Sequence, residues 1–320
     1  MERAEVARPT SFTTTVEGDE PMAMAVLGHR TSPNARRARV GWLLILPVLI
    51  TVALIAIYPL VYTLVAAFTE SSLGRPFQDF VGVDNFATAL FGDGALAPLG
   101  RSLLFAVPSA VLALLLGFVI ALSLDAAVRG GKLIRVLLLL PLMTPPVMAG
   151  VIWKLMYAPT GGLFNNIISG PPIVFLGSSP SALIALIVVD VWQWTPFCVL
   201  LIFAALQTLP HEVYEAAQVD GAGIWRTFRS VTLPLIAPSL VTVLLLKLIV
   251  SFKVFDLVFI MTGGGPGFDT TVSSFDIYRT VLQKFDLGLG AAQTLVFLVL
   301  VTLVVTPIAS LRARLQKAQG

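Results

Sequence analysis

The sequence predicts an all-α, polytopic membrane protein that crosses the bilayer six times. Of its 320 residues, 57% are hydrophobic and 12% charged, against roughly 25% charged in a soluble domain. The mean hydropathy is +0.90, more apolar surface than a soluble core can hide. The apolar residues gather into runs longer than about 18 residues, the length a helix needs to cross the hydrocarbon layer at a rise of 1.5 Å per residue. The same numbers exclude other classes. With Cys198 as the one cysteine and His29 and His211 as the two histidines, no disulfide, zinc cluster or haem site can be assembled. The net charge is only +3 and the cations flank the apolar runs, so no nucleic-acid footprint is present.

Residues 1–39 read as a polar, Thr-rich N-terminal tail ending in Arg36, Arg37 and Arg39; residues 40–320 form the membrane domain. The first span, Gly41 to Phe68, is longer than a signal-peptide core, and no small-residue cleavage site follows it, so it is expected to stay in the mature protein. The second, 102–124, is uncharged and ends before Asp125. In the third, 134–156, Pro141, Pro145 and Pro146 interrupt the run, which a bundle tolerates where neighbouring helices satisfy the freed carbonyls. The fourth, 181–207, contains Asp190; the fifth covers 237–261 and the sixth 288–311. Between spans, Ala158 to Pro180 and Met261 to Asp269 are rich in glycine and proline and should form ordered turns or re-entrant pieces. No internal repeat of the kind common in secondary carriers is evident.

Lys and Arg concentrate on the cytoplasmic side of short loops. Here Arg30, Arg36, Arg37 and Arg39 precede span one, Arg129, Lys132 and Arg135 follow span two, Arg226 and Arg229 follow span four, and Arg312, Arg314 and Lys317 follow span six. Both termini should therefore be cytoplasmic. The opposing loops mix Arg75, Arg101, Arg279 and Lys284 with more numerous acids and should face outward.

The loop from 210 to 238 has a local plan. Pro210 suits a first helical turn, Glu212 and Glu215 favour the positive end of the helix dipole, and Gly221 is the expected stop. A second short helix should run from Ile224 to Val231, with Pro234 and Pro238 closing it ahead of span five. Leu209, Val213 and Trp225 are candidates to anchor it to the bundle or to a partner. On physics alone, a plain connector explains such a loop equally well.

Glu215, Ala216, Ala217, then Asp220 and Gly221, then Leu233, Pro234 and Pro238 resemble the EAA loop of bacterial binding-protein-dependent ABC importer permeases. Tyr58 and Pro59 in the first span, Phe80 to Phe86 after it, Pro141 to Trp153, and Phe255, Asp256 and Thr262 to Gly267 are similar to the carbohydrate-uptake class of that family, of the maltose/trehalose type. The resemblance implies a type I ABC importer permease fold in a bacterial cell membrane. It also implies a coupling role for the eight loop residues, which dock on a cytoplasmic ATPase. The partners it implies are a second, homologous permease subunit, two copies of an ATP-binding cassette ATPase and an extracytoplasmic solute-binding protein. ATP and Mg would be used by the ATPase, with no cofactor bound by this chain and no catalysis on it. The residues agree with that division: Gly263 to Pro266 and Gly130 to Lys132 both lack the spacing of a phosphate-cradling P-loop.

Ionisable residues inside spans need a reason, because each costs about 2.5 to 3.5 kcal/mol at a helix centre. Asp190, Gln193, Trp194 and Phe197 fall on one stripe of span four, a carboxylate, an amide and aromatic faces suited to a sugar. A bond from Asp190 to a neighbouring helix explains it as well. Lys253 and Asp256, at i and i+3, are expected to neutralise each other as a structural ion pair, with a place in the substrate pathway as the lesser reading. Lys247, nearer the cytoplasmic end, could snorkel or meet a partner. Trp192 should pack or face lipid.

The sequence thus reads as the permease subunit of an ATP-driven sugar importer, forming half of a translocation pathway. A self-contained secondary transporter or channel is the alternative, with Asp190, Lys253 and Asp256 as ion-coupling candidates. An intramembrane enzyme lacks a nucleophile paired with a base.

Overall fold

The structure, a computed structural model, describes residues 33–126, 131–168 and 170–317. Residues 1–32 of the tail and Arg129 lie outside the described residues. The chain divides after Ala56 into two compact units. The first contains α1 (Pro33–Val52), which begins within the stretch the sequence assigns to the tail and carries Pro47 inside it. Thr51 Oγ1 donates to the Pro47 carbonyl at 2.9 Å. A π-helical turn, Ala53–Ile57, follows.

The second unit is mainly helical, with no strand among the described residues beyond two isolated bridges. It opens with α2 (Tyr58–Ala67), α3 (Asp84–Phe91), α4 (Ala97–Ala126), α5 (Gly131–Met143), α6 (Pro146–Met156) and α7 (Leu163–Ile167). It continues with α8 (Ser179–Leu206), α9 (His211–Val219), α10 (Ile224–Thr227), α11 (Leu233–Phe252), α12 (Ser273–Tyr278) and α13 (Leu287–Lys317). Among the described residues five runs are long and apolar enough to cross a membrane: Trp42–Ala67, Ala97–Asp125, Ser179–Leu206, Ile224–Phe252 and Leu287–Lys317. The pair Val136–Met143 and Pro146–Met156, bent by 96°, is long and apolar enough only when its two helices are taken together, as one broken span or a re-entrant loop.

The span expected over 134–156, interrupted by prolines, is thus sharply bent instead of straight. Pro145 disfavours helical geometry at Thr144 and removes a backbone donor, so the helix breaks there. The fifth span differs as well. Helix is continuous from Ile224 through a π turn at Phe228–Thr232 to Phe252, so the expected second loop helix and the span are one rod. Pro234 sits in the first turn of α11 and Pro238 inside it, so neither closes a helix. The rod ends at Lys253, and Val258–Thr262 is a separate π turn.

α8 is the centre of the bundle, with Leu186, Val189, Cys198 and Ile202 buried in the main core. It packs on α4 through small residues. Ala113 and Ala121 are fully buried, and between them a Cβ built on Gly117 would lie 2.6 Å from Cys198 Cβ. Close approach of this kind is how membrane helices associate without a hydrophobic drive between them. Ala106 and Ala110 of α4 meet Leu248 and Phe252 of α11, and Ala66 and Ala67 of α2 meet Ala291 and Ala292 of α13. The outward surface keeps its leucines, with Leu104, Leu115, Leu298 and Leu303 more than half exposed, as a bundle solvated by lipid does. Gly117→Val is expected to lose most of the folded protein. The new side chain would meet a Cβ and backbone that cannot swing aside, at a cost of about 3 kcal/mol or more. The amount of monodisperse protein extracted in mild detergent measures it, and wild-type yield would contradict this packing.

At one end, α12 and the loops after α2 and before α13 come together. Ser102 Oγ donates to Ser273 Oγ at 3.0 Å and Arg101 pairs with Asp269 at 3.5 Å. Burial pushes the Asp276 carboxyl up from its ordinary pKa, against the opposing pull of Lys284, Arg279, Arg101 and the Gln293 amide. At the other end Gln207 Nε2 donates to Asp125 at 2.6 Å, where the 207–223 loop departs.

Candidate functional site

Two features carry the sequence-predicted residues. The first is the loop between α8 and the long rod. α9 starts just after Pro210 and stops at Val219, close to the sequence plan. Gly221 takes φ +70, its N–H donates to Gln218 O at 3.0 Å, and the Ala222 N–H donates to Ala217 O at 2.9 Å. This double reach back over the last turn is a Schellman cap, and the left-handed position in it suits glycine. Tyr214 Oη donates to Thr232 Oγ1 at 3.2 Å, and Phe228 stacks between Trp225 and Phe118. The loop is therefore tied to the start of the rod and to α4.

Glu215, Ala216 and Asp220 are exposed, as a docking role requires, but Ala217 turns inward and is only 9% exposed. Its small size serves packing within the chain. Pro238 is buried and Leu233 half-buried, so both act inside the rod. Leu209 packs on the main core, whereas Trp225 is exposed. Beside it Val219 is 88% and Ile224 93% exposed. Sequence reasoning passed over these two, although apolar residues flanking a glycine stop in a polar loop were a usable signal.

The second feature is a cavity of about 250 Å³ at the Phe252 end of the rod. Asp190, Gln193, Trp194, Lys253 and Asp256, all five residues picked from the sequence, line it, together with Pro146 and Phe255. Trp194 meets Phe197 edge-on at 5.8 Å. Gln193 Nε2 donates to the Thr144 carbonyl at 2.9 Å, which satisfies a backbone oxygen freed by the break between α5 and α6. Its Oε1 is buried with no partner among the described residues, an acceptor that a donor in the cavity could satisfy. A larger cavity of about 800 Å³ lies between α4, α5 and α8, but Leu112, Leu116, Leu137 and Ile187 dominate its walls. It offers a polar solute little.

The charge pairing differs from the expectation. Among the described residues Lys253 and Asp256 form no ion pair, because the helix ends at Phe252 and their side chains no longer share a helical face. Lys253 is exposed and Asp256 half-buried. The ion pair is between Lys247 and Asp190, 2.5 Å apart with side chains 0% and 3% exposed. Lys247 does not snorkel. Ser109 of α4 also donates to Asp190, so three helices meet at one carboxylate. Two lone charges of opposite sign in different apolar runs were the available signal. Pairing looked for only at i and i+3 missed it. Trp192 meets Trp153 edge-on at 5.5 Å with 37% of its surface exposed, so it both packs and reaches the outer face.

Residues 102–317 match the family model described as "Binding-protein-dependent transport system inner membrane component". The chain is 35% identical over 269 residues to the trehalose/maltose transport system permease protein MalF of Thermococcus litoralis, covering 83% of this chain and 91% of that one. It is 30% identical over 275 residues to the trehalose transport system permease protein SugA of Mycobacterium tuberculosis, with coverages of 86% and 88%. Among solved structures, a chain of a bacterial ABC transporter involved in import of the acidic polysaccharide alginate superposes with a TM-score of 0.78 at 22% identity, over 88% of this chain and 97% of that one. The fold is that of an ABC importer permease.

Proposed function

This chain belongs to the family of binding-protein-dependent transport system inner membrane components, and we propose that it moves a neutral sugar or similar polyol as half of a heteromeric ATP-driven importer. The observation that carries the solute class is the cavity: a carboxylate, a buried amide oxygen with no partner among the described residues, and an indole face in a pocket of about 250 Å³ with mixed polar and apolar walls. Hydroxyls would bond to Asp190 and Gln193 while an apolar sugar face stacks on Trp194. The relatives whose names include trehalose and maltose support the same class.

In this reading a second, homologous permease completes the pathway, two cassette ATPases bind ATP and Mg on the cytoplasmic side, and a solute-binding protein delivers from outside. Both termini, the 207–223 loop and the start of the rod face the cytoplasm. Glu215, Ala216, Asp220 and the exposed Val219, Ile224 and Trp225 form the face that docks on the ATPase, while Gly221 sets its angle. Leu233, Pro234 and Pro238 shape the start of the rod, and Ala217 seats the loop. Closure of the ATPase dimer would push on the loop, and the unbroken helix Ile224–Phe252 would carry that displacement to the cavity.

Purification of the tagged chain from its own membrane in mild detergent tests the reading. Mass spectrometry is expected to find a cassette ATPase and a second six-span permease with it, and liposomes holding that complex and the binding protein should import trehalose only with ATP. A chain that came out alone and moved solute without ATP would make it a secondary transporter.

A further inference from the structure

Lys247 has none of its surface exposed, and a lone ammonium at membrane depth is too costly to persist. Its surroundings account for it fully. An ammonium has three donors, and here they go to Asp190 Oδ2 at 2.5 Å, Ser251 Oγ at 2.7 Å and Ser109 Oγ at 3.4 Å. The Trp194 ring lies 5.7 Å from Nζ. No donor is left for a ligand, and Lys247 is absent from the cavity wall.

Asp190 is placed differently. Lys247 and Ser109 both bind its Oδ2, while among the described residues Oδ1 accepts no hydrogen bond, and the residue lines the cavity. We infer that Lys247 is the positioning residue of the cavity, clamping one oxygen of Asp190 so that the other is presented to a hydroxyl of the solute. The inference rests on the cavity being the solute path. Lys247 also cancels the charge of Asp190, and Lys253 and Asp256 contribute one charge of each sign. The wall therefore offers donors and acceptors with no net charge, which suits a neutral polyhydroxylated solute better than an anion.

The clamp is also joined to the coupling loop. Lys247 stands 23 residues along the rod from Ile224, about 35 Å at the helical rise. A push on the loop would reach the ammonium through one helix and Asp190 through their hydrogen bond.

The test uses the assembled transporter in liposomes with saturating binding protein, and reads trehalose imported per ATP hydrolysed, normalised to assembled complex. Lys247→Met is expected to lower that ratio at least tenfold. Added to Asp190→Asn it should change the ratio less than twofold, because it acts through the missing carboxylate; a further large drop would show that Lys247 acts by itself and overturn the inference. If neither single variant assembles, the neutral pair Lys247→Met with Asp190→Asn decides. A ratio below a tenth shows that the pair serves transport and not assembly alone, and a wild-type ratio reduces the pair to a structural tie. Trp194→Ala separates the two readings. A normal ratio in the neutral pair with a low one in Trp194→Ala removes the role of Lys247 and keeps the cavity. Normal ratios in both remove the cavity as the solute path.

Discussion

Gly221→Pro is expected to abolish ATP-driven uptake while the protein still accumulates in the membrane at wild-type level. The glycine holds φ +70, and its N–H closes half of the cap that ends α9. Proline fixes φ near −65° and has no N–H, so both parts of the cap fail together. The local cost is a few kcal/mol: about 1 for each lost hydrogen bond and about 1 to 2 for the lost left-handed turn. That is small beside the burial holding the spans, so insertion should survive. What changes is the direction in which the chain leaves α9, and with it the placement of Val219, Ile224 and Trp225 relative to the rod. Gly221→Ala is the graded control. Nothing lies within 4 Å of a Cβ built there, so alanine meets only backbone strain of about 1 kcal/mol, and uptake should fall several-fold instead of vanishing. Immunoblots of membranes alongside initial uptake rates check both variants. Wild-type uptake by the proline variant would remove this turn from the coupling path.

The sequence announced the crossings well because the bilayer imposes one demand, about 20 apolar residues with every backbone group satisfied. The runs at 41–68, 102–124, 181–207 and 288–311 reappear within a few residues of their observed helices. Proline was harder to read. Three prolines in 134–156 accompany a 96° break, while Pro234, just after the π turn, and Pro238 were absorbed into a continuous rod, as a bundle allows where neighbouring groups satisfy the freed carbonyls. The stripe of Asp190, Gln193 and Trp194 was legible by helical spacing, and the cavity wall agrees with it. The partner of Asp190 was not legible, since which helix faces α8 is decided by small residues such as Gly117 packing across the bundle. Sequence spacing within one helix holds no information on that contact.

The buried pair makes the second large prediction. Asp190→Leu is expected to strip most of the folded protein from the membrane, and adding Lys247→Met to bring it back. Removing one member leaves the other charge buried and uncompensated, a loss of about 3 to 5 kcal/mol, whereas replacing both with apolar side chains of similar volume is often neutral or better. The geometry here sharpens the contrast. Lys247 is fully buried in α11 and cannot reach water without dislodging Ser109 in α4 and Ser251, so the single change unsettles three helices at once. Thermal unfolding in detergent should show a large fall in Tm for the single variant and near-wild-type Tm for the double. Salt supplies an independent check. Screening acts on exposed charges and barely on a dry pair, so raising NaCl should leave the wild-type Tm contribution of Lys247 and Asp190 unchanged. The looser Arg101–Asp269 contact, 3.5 Å long and 22% and 45% exposed, should be the salt-sensitive one. If Asp190→Leu alone were as stable as wild type, the carboxylate could not be what keeps the Lys247 charge in the bundle.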